Sequence, residues 1–159
     1  MRLRLLTSRQ QIFLAAVITM SAIIAMLADG PAARAAEHVI EMRNKDNAGQ
    51  TMAFEPSFLK VEVGDSVKFV PADKGHNAES VTEVWPEGAP FIKGAFNAEV
   101  VFKAEKEGLY AVKCLPHFGM GMVALVQAGK PANLEKMKAY KAPGGSQKRL
   151  AAALEKVVP

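Results

Sequence analysis

The chain has 159 residues, half of them hydrophobic, with one cysteine and a formal charge of +4. That length admits one ordinary domain, and a single thiol excludes a disulfide framework within the chain. The first 35 residues hold Arg2, Arg4, Arg9 and Arg34 against Asp29, a net +3, so residues 36–159 keep only +1 and lack the dense basic footprint that holds nucleic-acid phosphates.

The first element in chain order is an export signal. Arg2 and Arg4 form a positive start, residues 12–27 (IFLAAVITMSAIIAML) an apolar stretch, and Ala33-Arg34-Ala35 places small residues where a signal peptidase reads. A membrane anchor is the competing reading, but a bilayer core needs about 20 apolar residues, and this stretch is shorter and contains Thr19 and Ser21. Residues 1–35 are therefore expected to be removed, with cleavage after Ala35 or Ala36. The remaining domain, 36–159, is long enough to bury well over half of its unfolded surface. Export also places the protein in an oxidising compartment, where a free thiol needs burial, metal binding or a catalytic role to be explained.

The mature chain reads as strands first and helices last. His38 to Arg43 is the first strand candidate. Phe58 to Val63 alternates from Leu59 on, Gly64-Asp65 is a turn pair, and Ser66 to Val70 alternates again before Pro71, which together predict a hairpin. Glu99 to Lys103, Leu109 to Cys114 and Met122 to Gln127 complete the strands, all rich in Val, Phe or Tyr. Their spacing predicts two antiparallel sheets packed face to face, with Asp73 to Asn97 as the long irregular connection of a Greek key. Residues 131–159 change character. Pro131 and Asn133 mark a helix carrying Leu134, Met137 and Tyr140, and Pro143-Gly144-Gly145 ends it. A second helix is predicted from Ser146 as N-cap, with Leu150, Leu154 and Val157 on one face. These apolar stripes are expected to pack on an open edge or face of the sandwich rather than to bind a cofactor.

The chemistry is concentrated in Cys114-Leu115-Pro116-His117-Phe118-Gly119-Met120-Gly121-Met122. One loop presents a thiolate, an imidazole and a thioether, which are soft or borderline donors. Two histidines and a cysteine in a plane, with a weak axial methionine, are the donor set of blue-copper electron transfer, so a second histidine is required. The chain has three. His38 is read as part of an edge strand, where a solvated histidine is expected. His76, in Lys74-Gly75-His76-Asn77, follows the Ser66 to Val70 strand, and a sandwich can bring that loop beside Cys114.

The Cys114 to Met122 loop, the segment Pro71-Ala72-Asp73-Lys74-Gly75-His76-Asn77, Pro86-Glu87-Gly88-Ala89 and the two C-terminal helices together resemble the pseudoazurins, small blue (type I) copper proteins. The resemblance covers essentially the whole mature chain. It implies an all-β, cupredoxin-like Greek-key β-sandwich of about eight strands with two C-terminal α-helices. It further implies one copper ion, cycling between Cu(I) and Cu(II), bound by ring nitrogens of His76 and His117, the Cys114 thiolate and the Met122 thioether. Asn77 is expected to hydrogen-bond the Cys114 loop as its family counterpart does, backbone N–H donation to the sulfur to raise the potential, and Pro116 to stiffen the loop. Met52 resembles a family position near the exposed copper histidine, with ordinary core packing as the alternative. Met120 competes with Met122 as axial donor, but its spacing from His117 is two residues shorter than the family pattern.

No enzymatic activity is expected. Phe118, Met120, Pro116 and Gly119 would surround His117 with an apolar patch, and Lys74, Lys93 and Lys113 would stand near it, an arrangement suited to brief docking with an acidic redox partner. The resemblance implies a copper-containing nitrite reductase as acceptor, placing the carrier in periplasmic denitrification, with cytochromes as other partners and a cytochrome as donor. A soluble monomer is the default for such a shuttle. A copper chaperone or storage protein would offer several donors on an accessible loop instead. A structural zinc site would not use a thioether, and a thiol enzyme would place its cysteine at a helix N-terminus.

Overall fold

A computed structural model describes residues 34–159. The expected export signal lies outside the described residues, apart from its last two positions. Among the described residues, eight strands form two four-stranded sheets. The first contains β1 (Glu37–Lys45), β2 (Thr51–Glu55), β4 (Ser66–Pro71) and β6 (Val100–Lys103), in the order β2-β1-β4-β6. The second contains β3 (Phe58–Val61), β5 (Glu79–Ser80), β7 (Gly108–Lys113) and β8 (Val123–Ala128), in the order β3-β8-β7-β5. Both sheets are mixed rather than antiparallel, because β1 runs parallel to β4 and β3 parallel to β8.

The main core lies between the sheets. Ile40, Met42, Phe54, Val67, Phe69 and Phe102 from the first meet Val61, Tyr110, Val112, Ala124 and Val126 from the second. Trp85 closes it from the long connection, its ring edge-on to Tyr110 and its indole N–H donating to the Pro90 carbonyl at 3.1 Å. A second cluster lies outside the second sheet. There Leu109, Ala111, Val123 and Leu125 pack under α1 (Leu134–Ala139) and α2 (Gly145–Leu154), through Met137, Leu150 and Ala153. β7 and β8 are thus buried on both faces, which explains their near-continuous apolar runs. The helices do cover a face of the sandwich, as their stripes predict.

Three local expectations are corrected. Gly64-Asp65 does not close a hairpin: β3 pairs with β8 in one sheet and β4 with β1 and β6 in the other, so the turn is a corner between sheets. Asp65 holds that corner, accepting from the backbone N–H of Ala36 at 2.8 Å and Glu62 at 3.1 Å. His38 is not in an edge strand, since β1 sits between β2 and β4, and its Nε2 lies 2.8 Å from Asp65 Oδ2. Ser146 is not the N-cap of α2; Gly144 occupies that position, and the Ser146 hydroxyl is buried inside the first turn. The short strands β2 and β5 escape the sequence reading altogether.

The hydrogen bond from His38 and those from the Ala36 and Glu62 amides hold the Asp65 carboxyl below the usual carboxylate range. A group with a depressed folded-state pKa stabilises the fold above its unfolded value, and loses that contribution as pH falls through the folded one. Asp65→Asn should therefore melt at a lower temperature than the parent at neutral pH. The gap should begin to narrow below pH about 4, where the unfolded carboxyl takes up its proton, and close only as the folded carboxyl is protonated at lower pH. Melting curves across that range check this.

Candidate metal centre

β7 and β8 are adjacent antiparallel strands, and the loop between them carries the predicted chemistry. Cys114 remains extended, a 3-10 turn spans Leu115–Met120 with Pro116 near its start, and Gly121 at φ 111° turns the chain back. That left-handed conformation favours glycine. The Cys114 N–H donates to the Met122 carbonyl at 3.1 Å, the His117 N–H to the Cys114 carbonyl at 3.2 Å, and the Met122 N–H to the His117 carbonyl at 3.1 Å. The loop is a closed, bonded excursion that holds its donors where the strands place them.

His76 reaches the same place from the segment after β4. Its Nδ1 lies 3.2 Å from His117 Nδ1 and 3.8 Å from Cys114 Sγ, and His117 Nδ1 lies 3.5 Å from the sulfur. His76, Cys114 and Met122 are fully buried, whereas the His117 ring is half-buried. On its other side, His76 Nε2 is 3.0 Å from Asn44 Oδ1. An amide oxygen only accepts, so Nε2 carries the proton and Nδ1 presents a lone pair toward His117 and the sulfur. Burial, and then the neighbouring His117, depress the His76 pKa, with Asp73 opposing, so the imidazole is neutral as a ligand must be.

Burial pushes the Cys114 thiol above its ordinary pKa, while the backbone N–H groups of Asn77 and His117 pull it down and the Glu79 charge raises it. Asn77 lies beside the start of the loop. Its Oδ1 accepts from the Leu115 N–H at 2.8 Å, and its Nδ2 donates to Glu79 at 2.9 Å and to the Gly94 carbonyl at 3.3 Å. Two imidazole nitrogens and a buried sulfur converging on one point, with no acidic group among them, match a soft or borderline cation such as copper.

The remaining predicted residues sort by burial. Met120 is 55% exposed whereas Met122 packs in the main core with Cys114. Leu115, Pro116, Gly119 and Met120 are exposed along the turn, while Phe118 is half-buried against the helix-side cluster with the Lys113 ammonium over its ring. Lys74 and Lys93 are exposed, and among the described residues neither they nor Lys113 form an ion pair. Met52 packs against the main core at φ 50°. The sequence reading missed Asn44, which no motif marks. It also missed the contacts that α2 makes with the ligand loop: the Ser146 hydroxyl donates to the Phe118 carbonyl, and Arg149 to the Gly121 carbonyl.

A two-sheet sandwich in which a strand-to-strand loop sets a buried thiol beside two imidazoles defines a small copper protein of the cupredoxin type. Residues 40–129 match the model of the copper binding proteins of the plastocyanin/azurin family. A pseudoazurin of Paracoccus pantotrophus is 44% identical over 138 residues, 86% of this chain and 92% of that protein. Native pseudoazurin from Hyphomicrobium denitrificans, as a crystal structure, superposes with a TM-score of 0.76 at 66% identity, covering 77% of this chain and 99% of that one. Pseudoazurin from Methylobacterium extorquens AM1 superposes with a TM-score of 0.73 at 41% identity, over 77% and 99%. The chain belongs to this copper-binding family and, within it, to the pseudoazurins. It is an electron-transfer protein with one copper, not an enzyme.

Proposed function

We propose that His76 Nδ1, Cys114 Sγ, His117 Nδ1 and the Met122 thioether hold the copper, and that the carrier takes electrons from a cytochrome and delivers them to a copper-containing nitrite reductase in the periplasm. The observation that carries the ligand assignment is the convergence of three donor atoms within 4.8 Å of one another. Bound copper supplies the one-electron change between Cu(I) and Cu(II). The chain supplies a bonded loop that keeps its donors in place through that change, which suits rapid transfer. Full burial of Met122, against the exposure of Met120, supports Met122 as the axial donor.

Enclosure also favours a carrier over a copper chaperone, because three of the four donors are sealed from solvent and offer no route for metal exchange. His117 alone is half-buried, beside the exposed Leu115, Pro116, Gly119 and Met120, and this apolar patch is the docking face. Lys74, Lys93 and Lys113 steer an acidic partner toward it.

Stopped-flow mixing of the reduced protein with candidate reductases tests the partner and the steering together. The second-order rate with a copper-containing nitrite reductase should fall about tenfold between low and physiological salt. Replacing Lys74, Lys93 and Lys113 by Gln should flatten that dependence. A rate indifferent to salt would sink the steering, and failure of the reductase to oxidise the protein would sink the partner.

A further inference from the structure

We infer that Arg149 is a positioning residue for the metal loop: from helix α2 it ties the end of that loop to strand β2 and so sets where Met122 sits. One guanidinium nitrogen donates to the Gly121 carbonyl at 3.0 Å and to the Met52 carbonyl at 2.7 Å, and the other to the Thr51 carbonyl at 2.8 Å. Among the described residues no carboxylate pairs with it. The cation is spent on main-chain oxygens, in the forked geometry only arginine provides.

The place it grips is conformationally special. Gly121 is left-handed, and a Cβ there would lie 2.7 Å from Arg149 Nε, so arginine and glycine fit as a pair. Met52 has φ 50°, unusual for a residue with a side chain, and Arg149 holds its carbonyl. The rest of the α2 N-terminus presses on the same loop. A Cβ on Gly144 would lie 2.3 Å from the Gly119 oxygen, and one on Gly145 2.8 Å from that of Met120. The Phe118 carbonyl accepts from both Ser146 and the Gly121 N–H, so the helix and the loop's own turn share an acceptor. Met122 directly follows Gly121, and anything that fixes the Gly121 carbonyl fixes the approach of that thioether. α2 is therefore part of the copper site's outer frame as well as a cover for the second sheet.

This inference rests on the ligand assignment above for its copper arm only. Arg149→Met keeps the aliphatic stem and removes the donors. In the copper-free protein, amide exchange at Gly121 and Met122 should accelerate about tenfold, the factor one charge-assisted hydrogen bond carries, with Ile40 and Phe69 unchanged. In the loaded protein, copper affinity should fall about tenfold and the visible band ratio should shift. Arg149→Lys, with one point charge instead of a fork, should fall between. Unchanged exchange, affinity and spectrum in a folded Arg149→Met protein would overturn the inference, leaving only a structural tether. Should that variant not fold, Arg149→Lys, which keeps the stem and the charge but loses the fork, must still raise Gly121 exchange, and an unchanged rate there overturns the inference equally. A parent protein that takes up no copper would instead overturn the ligand assignment, and the exchange arm would still decide the role of Arg149.

Discussion

Cys114→Ser should stay colourless when Cu(II) is added, while the parent turns intensely blue and bleaches on reduction. The colour requires a thiolate bound to Cu(II), and the Cys114 sulfur faces both imidazole nitrogens, at 3.5 and 3.8 Å. A serine hydroxyl is a hard donor that stays protonated, so the soft member of the set is lost. The fold should survive, because a small hydroxyl beside two imidazoles can still hydrogen-bond, and circular dichroism separates loss of metal from loss of structure. Burial holds the free thiol above its ordinary pKa, so it is protonated at neutral pH and metal binding must displace that proton. Apparent copper affinity of the parent should accordingly rise with pH, about tenfold per unit for one proton released, until the thiol titrates. A blue Cys114→Ser protein would overturn the ligand assignment.

Asn77→Ala should cost about 3 kcal/mol, because it strips a buried residue of its bonds and leaves the Leu115 N–H and the Gly94 carbonyl without their partner. In a domain of this size that lowers the melting temperature by about 10 °C. Copper affinity should fall about tenfold as well, since Asn77 links the His76 segment to the start of the cysteine loop. Asn77→Asp keeps the acceptor for Leu115 but sets a carboxylate beside Glu79, so it should recover only part of the stability. Melting within about 0.5 kcal/mol of the parent would place Asn77 among ordinary surface substitutions instead.

The parts legible in the sequence are those encoded locally. Cys114, His117 and Met122 lie on one loop between two strands, so their spacing alone brings three donor types together, and His76 could be added because only three histidines were available. β4, β6, β7 and β8 announce themselves by β-branched and aromatic residues between turn signals. The hairpin expected at Gly64-Asp65 failed because alternation tells which face of a strand is apolar, not which strand it pairs with. A corner between two sheets and a hairpin within one show the same local pattern. The two parallel pairings were missed for the same reason, since they join strands distant along the chain.

Donor chemistry, the all-β class and the C-terminal helices were thus determined by the sequence itself, through residue type and period. Which histidine nitrogen faces the sulfur, which methionine is buried and what braces the loop were decided only by the tertiary structure. Asn44 sets the first from a strand 32 residues before His76, and Arg149 reaches Met52 across 97 residues. Contacts of this kind are invisible beforehand for a physical reason. Arg149 and Ser146 bind main-chain carbonyls, which every residue carries, so no pattern of side chains marks the partner until the fold brings the two together.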